Sequence, residues 1–166
     1  HFGIRNTTQL FLDYKANTEA KDDNGQTPLH NSARFGHIEA AKLLLEHDAN
    51  IEAKADLGQT PLHCAARSGH ILTTQLLLDY KANLEAKTHN GHTPLHYAAN
   101  SGHIKAATLL LDRGAMIDTR SLGGETPLHL ACLKKHLSLI EFLQARGGDM
   151  TIKDNNGITP QDCLDA

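Results

Sequence analysis

The sequence contains no valine and no tryptophan, and only 4% of its residues are aromatic. β-Branched and aromatic side chains are what pleated sheets are built from, which argues against a sandwich or barrel. Leucine and alanine, both strong helix formers, fill the vacant share. Cysteine is scarce: Cys64, Cys132 and Cys163 make an odd number with no Cys-x-x-Cys pair. Free thiols in a reducing compartment fit this better than a disulfide framework, so an intracellular and specifically cytoplasmic location is favoured. Long apolar runs are missing, and stretches such as Leu43 to Leu45 fall far short of the roughly 18 residues that span a bilayer, so no membrane insertion is expected. Neither charge sign dominates: 16 basic residues against 19 acidic ones leave a net charge of -3, which offers nucleic acid no basic field. A start methionine and a signal peptide are also lacking, and the opening His1-Phe2 reads as a cut from something longer.

Proline is sparse as well, but its placement is informative. All 5 prolines lie in Thr-Pro pairs at Thr27-Pro28, Thr60-Pro61, Thr93-Pro94, Thr126-Pro127 and Thr159-Pro160, each 33 residues after the last. Gly25, Gly58, Gly91, Gly124 and Gly157 precede the pairs in phase, and His30, His63, His96 and His129 follow them. A second beat, Gly-His, falls at Gly36-His37, Gly69-His70 and Gly102-His103, while the fourth copy reads Lys135-His136. A fixed period of this length marks a repeat array. Repeats are expected at 22–54, 55–87, 88–120 and 121–153, with a partial repeat at 1–21 and another at 154–166, all in one domain spanning 1–166.

Each unit reads physically as a pair of short helices. Thr27 can cap a helix through its hydroxyl, and Pro28 suits the first helical position, where no N–H is needed. Gly36 supplies the left-handed residue that ends the helix near Phe35. A second helix runs from Ile38 to about His47, with an apolar stripe at Ile38, Ala41, Leu44 and Leu45. Two helices this short cannot bury a face alone, so the equivalent stripes of the neighbouring units are the natural cover. Small pairs at Ser32-Ala33, Ala65-Ala66 and Ala98-Ala99 let first helices stack closely. An extended stretch and a tight turn at Asp23-Asn24-Gly25 then make a protruding loop.

With its glycine, Thr-Pro-Leu-His, paired alanines, Gly-His and leucine run, the pattern resembles the ankyrin repeat family over the whole chain. The resemblance implies an all-α solenoid of helix-turn-helix units with protruding β-hairpin loops. It also implies a concave surface, formed by hairpin tips and first helices, that grips partner proteins without enzymatic chemistry. Asp48 and Lys81 depart from it, standing where the family has glycine after the second helix, and Gln161-Asp162 replaces Leu-His in the last unit.

Chemistry finds no purchase in this pattern. Eight of the 12 histidines lie on the two beats, so periodicity explains them. Thr27, Thr60, Thr93 and Thr126 with His30, His63, His96 and His129, and the turn residues Gly36, Gly69 and Gly102, are structural. His89, His92 and His96 lie close in sequence, but two belong to a hairpin and one to a helix, so no metal site is expected. No cysteine has a base and an orienting group at hand, and no Gly-x-Ser-x-Gly or phosphate loop occurs. No cofactor is expected. A basic ladder at Lys21, Lys54, Lys87, Arg120 and Lys153 is accompanied by Glu19, Glu52, Glu85 and Asp118 two residues earlier, which should neutralise it.

What remains is recognition of another protein by a monomer, with no role for nucleic acid. The residues that vary between units while the frame stays fixed define the expected face: Asp23, Asn24, Gln26, Arg34, Phe35, Asp56, Leu57, Gln59, Arg67, Tyr80, His89, His92, Asn100, Arg113, Leu122 and Leu133. The alternative reading is a targeting module of a larger enzyme or secreted bacterial effector whose chemistry lies outside these 166 residues.

Overall fold

A computed structural model describes residues 17–166. Of the partial repeat expected at 1–21, residues 1–16 lie outside the described part. Four helix pairs follow in order: α1 (Pro28–Phe35) and α2 (Ile38–Glu46), α3 (Pro61–Ser68) and α4 (Ile71–Asp79), α5 (Pro94–Asn100) and α6 (Ile104–Asp112), α7 (Pro127–Leu133) and α8 (Leu137–Ala145). A ninth helix, α9 (Pro160–Asp165), begins a fifth unit. No strand occurs among the described residues, and the hairpins are tight turns closed by pairs of backbone bonds such as Asp22 N–H to the Gln26 carbonyl, 3.0 Å, and Gly25 N–H to the Asp22 carbonyl, 2.9 Å. First helices stack in one layer and second helices in another, giving a solenoid.

Every first helix starts the same way. Threonine stands at the N-cap with extended backbone, proline follows, and the histidine two residues beyond that proline closes a capping box. In the first unit His30 Nδ1 accepts from the Thr27 N–H at 3.1 Å and lies 2.9 Å from its hydroxyl. The other ring nitrogen, Nε2, lies 2.9 Å from the Gln59 carbonyl oxygen in the next unit. A carbonyl oxygen can only accept, and Nδ1 already accepts, so the partners assign the neutral tautomer with its proton on Nε2. His63, His96 and His129 repeat this geometry toward the carbonyls of His92, Glu125 and Ile158. In α9 the box is closed by Asp162, whose carboxylate accepts from the Thr159 N–H at 2.8 Å.

The Gly-His beat is also an inter-unit device. Gly36, Gly69 and Gly102 have φ of 71, 72 and 73°, and a Cβ at each would meet the histidine ring of the following unit at 2.7, 2.7 and 2.9 Å. Glycine is thus required by both backbone and neighbour. Lys135 holds the same left-handed turn with φ 55°, and within these 166 residues no counterpart of His136 stands over it. Asp48 (φ 59°) and Lys81 (φ 68°) are likewise left-handed, at the position filled by Gly114 and Gly147 in later units.

The core lies between the two helix layers. Leu29, Leu62, Leu95 and Leu128 from the four Thr-Pro-Leu-His motifs are buried, as are Ala33, Ala66 and Ala99, whose small size permits close stacking of the first helices. From the second helices come Ala41, Leu44, Thr74, Leu77, Ala107 and Leu110. Outside this core the loops are tied by a ladder that corrects the expectation of self-neutralised charges. Lys21 Nζ donates to the Lys54 carbonyl at 2.9 Å, Lys87 Nζ to that of Arg120 at 3.2 Å, and Arg120 Nη2 to that of Lys153 at 2.8 Å. The acids reach forward too: Glu19, Glu52 and Glu85 accept from the N–H groups of Asn50, Asn83 and Met116 at 2.8, 2.7 and 2.8 Å. A side chain two residues from another in an extended loop shares its direction without touching it, and both find orphan backbone groups one unit on.

Four outcomes follow from this arrangement. Gly102→Ala should lose about 2 kcal/mol or more, because the left-handed turn alone costs a side chain about 1–2 kcal/mol before the clash with His136. The loss in Gly102→Ala/His136→Ala should be smaller than the sum of the two single losses in urea unfolding, and strict additivity would refute the contact. Lys81→Gly should raise stability by up to about 1 kcal/mol, since it removes left-handed strain at an exposed position. Hydrogen exchange, for its part, should be slowest within residues 60–112 and faster toward 160–166, as nearest-neighbour stacking requires.

Candidate recognition face

The variable side chains of the first-helix face form columns 33 residues apart. The position before each capping threonine holds Gln26, Gln59, His92 and Glu125. The first turn of the helix holds Asn31, Cys64, Tyr97 and Leu130. Its last turn holds Arg34, Arg67, Asn100 and Leu133, followed by Phe35, Ser68, Ser101 and Lys134. Helical spacing of three and four puts Asn31, Arg34 and Phe35 on one side of α1, while Leu29, His30 and Ala33 are buried on the other. Because His30, His63 and His96 donate to the carbonyls of Gln59, His92 and Glu125, the same bonds that join the units also fix this first column.

Two cavities adjoin on this face. One, of about 280 Å³, is lined by Gln26, Arg34, Gln59, Cys64, Arg67, Ser68, Tyr97 and Ser101. The other, of about 240 Å³, is lined by Arg67, His92, His96, Tyr97, Asn100 and Leu130. Arg67 and Tyr97 line both, so the depression is one groove running from the first unit to the fourth. A further cavity along α2, lined among the described residues by Ile38, Glu39, Lys42, Leu43 and Glu46, gathers none of the variable residues.

Of the residues expected to bind, Gln26, Arg34, Gln59, Arg67, His92 and Asn100 line this groove. Phe35 and Leu133 are exposed at the ends of α1 and α7, and the Arg34 guanidinium sits over the Phe35 ring, 5.4 Å from its centroid. Asp23, Asn24, Asp56, Leu57, His89 and Leu122 are at the hairpin tips, which join through single backbone bonds: Asp56 N–H to Asn24, His89 N–H to Leu57 and Leu122 N–H to Asn90. Leu57 and Leu122 are 66% and 71% exposed, so they do not pack within their own hairpins. Tyr80 and Arg113 stand elsewhere, at the C-terminal ends of α4 and α6, and Arg113 is bonded to Asp79 of the preceding unit at 3.0 Å. Sequence reasoning missed Tyr97, although its column varies as strongly as any other. The ring is held edge-on to His63 at a centroid distance of 5.2 Å.

Burial dominates the electrostatics. It pushes the Cys64 thiol up to about 11, so this sulfur is a protonated thiol at neutral pH and a poor nucleophile despite two nearby arginines. Burial likewise raises the Tyr97 phenol, against the opposing effect of the Gln59 side chain. The hydroxyl of Ser121 bonds Glu125 and holds its carboxyl below the usual range. His92 is lowered by burial and stacks on His96 at 5.2 Å between centroids. Among the described residues no cluster of three or more His, Cys, Asp or Glu side chains could hold a metal ion, and no helix is long and apolar enough to cross a membrane.

Comparison with known families decides what this frame is. A family model for ankyrin repeats matches in 3 copies over residues 1–88 and 75–154. The chain belongs to the ankyrin-repeat family. No curated protein matches it. Ankyrin repeats are in general protein–protein interaction modules. In this ankyrin array the fixed positions account for the helix starts and turns, and the frame draws on the variable columns mainly through backbone carbonyls, those of Gln26, Gln59, His92, Asn100 and Glu125.

The capping histidines make the array acid-sensitive. Burial lowers His63 and His96 to about 4, against about 6.5 in an unfolded chain, and lowers His30 in the same direction. Between pH 4 and 6.5 the native state therefore binds fewer protons than the unfolded one. The stability these groups contribute is fully present above pH 6.5 and falls as pH drops toward 4, by up to about 1.4 kcal/mol per pH unit for each histidine. Glutamine can close the same capping box without titrating. Urea unfolding of His63→Gln/His96→Gln across this window should show a flatter slope, and an unchanged slope would mean that these rings titrate alike in the native and unfolded states.

Proposed function

We propose that residues 1–166 form one non-enzymatic recognition domain that binds another protein along the first-helix groove as a monomer. The observation that carries this reading is the sharing of Arg67 and Tyr97 by two adjoining cavities, which makes the variable side chains of four units one continuous surface. Isolated pockets would suit a small molecule, whereas an open, mostly polar groove crossing several units suits a segment of protein. The capping histidines are committed at both ring nitrogens and the groove thiol is protonated, so the titratable groups here serve the fold.

Affinity capture followed by titration of the purified partner tests the reading. Arg67→Ala and Asn100→Ala should each weaken binding by more than about 1 kcal/mol, the size expected of interface anchors, with melting temperature nearly unchanged. Glu39→Ala, on α2 and away from the groove, should leave affinity as it was. If binding follows Glu39 instead, the second-helix layer is the interface.

A further inference from the structure

We propose that the stretch of groove between Arg34 and Asn100 takes an extended acidic peptide segment with carboxylates on alternate residues; this rests on the groove being the recognition face. The contrast among the arginines carries the argument. Arg113 and Arg146, at the ends of α6 and α8, each donate to an aspartate one unit back, Asp79 and Asp112. Arg34 and Arg67 are as exposed, occupy equivalent positions in adjacent units and line one cavity, yet neither has an acidic partner within 4.0 Å among the described residues. Asp22, in the hairpin that leads into α1, is committed to the N–H groups of Asn24 and Gln26 at 3.0 and 2.9 Å. Two guanidinium groups are therefore left with their forks available for bidentate pairing.

Geometry then selects the occupant. Packed helices lie about 8–10 Å apart, which sets the spacing of the two arginines along the stack. Alternate residues of an extended chain point the same way about 6.6 Å apart, a gap that flexible arginine arms close. Gln26, which lines the same groove, holds its Oε1 buried with no hydrogen-bond partner among the described residues, an acceptor that a peptide N–H reaches once this side chain turns outward. Farther along, the arginine column continues as Asn100 and then Leu133, and Leu130 lines the groove, so the polarity is fixed, with acids over α1 and α3 and apolar residues toward α7. Nucleic acid fits less well. Two arginines would release few counterions to a polyanion.

The test selects a displayed random dodecapeptide library on the intact 166-residue chain, then titrates the enriched peptide and the oligonucleotide dT12 by fluorescence anisotropy. Enrichment of peptides with acids at alternate positions is expected, with affinity falling at least tenfold for Arg34→Gln/Arg67→Gln and unchanged for Arg113→Gln. Thermal melting of the double variant should stay close to the parent, since neither arginine is ion-paired among the described residues and Arg34 rests on a ring that is itself exposed, that of Phe35. Absence of enrichment, enrichment of peptides lacking acids, equal affinity for the double variant, or tighter binding of dT12 would each overturn the proposal. If neutral peptides are lost with Asn100→Ala but not with the arginine pair, the acidic assignment fails while the face stands; if binding tracks Glu39→Ala, both fail.

Discussion

An imidazole that accepts a hydrogen bond from the start of one helix and donates another to the next unit is the interaction on which this array depends. His30, His63, His96 and His129 each do both, and each is almost completely buried. Losing such a bond strands a buried donor and acceptor, a penalty of about 1–3 kcal/mol, so the unit interface is most sensitive at this ring. A charged imidazole would carry a proton on Nδ1 as well and point it at the Thr27, Thr60, Thr93 or Thr126 N–H. Local folding and stacking are therefore coupled through a single protonation state.

That coupling separates stability from recognition. The Thr-Pro-Leu-His segment faces the core and the neighbouring unit, while the side chains three and four positions past the first-turn column face outward. Arg34, Arg67 and Asn100 can differ because Leu29, Leu62 and Leu95 beneath them do not. The columns are consequently as regular in space as the period is in sequence, and a partner meets side chains whose spacing is set by backbone bonds to which those side chains contribute nothing.

The helix starts and turns were legible in the sequence because glycine, proline and threonine act locally: a left-handed turn or a cap needs its residue wherever the chain goes next. The Gly-His beat was visible as a period, but its cause was not, since the histidine belongs to the unit after the glycine it covers. The ladder of Lys21, Lys54, Lys87 and Arg120 was misread for the same reason. Two residues apart in sequence, Glu52 and Lys54 look like a pair, yet each finds a better partner about 30 residues away. Tyr97 went unnoticed because a lone aromatic in a short helix resembles core, while Tyr80 and Arg113 were placed on the groove because variability identifies exposed positions without identifying a face. Facing is a property of how helices stack, and a one-dimensional period does not contain it.

The unit interface combines bonds of unequal worth. The imidazole bond is buried and costly to lose, whereas the Lys-to-carbonyl and Glu-to-amide bonds run along exposed loops, where each contributes about 1 kcal/mol or less. The buried bond and the leucine-alanine core thus decide that units stack at all, and the outer ladder holds the loops at a common spacing once they do. Groove geometry follows from that spacing more than from any single side chain. Replacing an arginine alters the chemistry a partner meets at one point, whereas disturbing a capping histidine or a turn glycine changes the distance between all points beyond it. Affinity in such an array is therefore set by two separable quantities: the residues displayed in each column, and the regularity with which the buried frame repeats them.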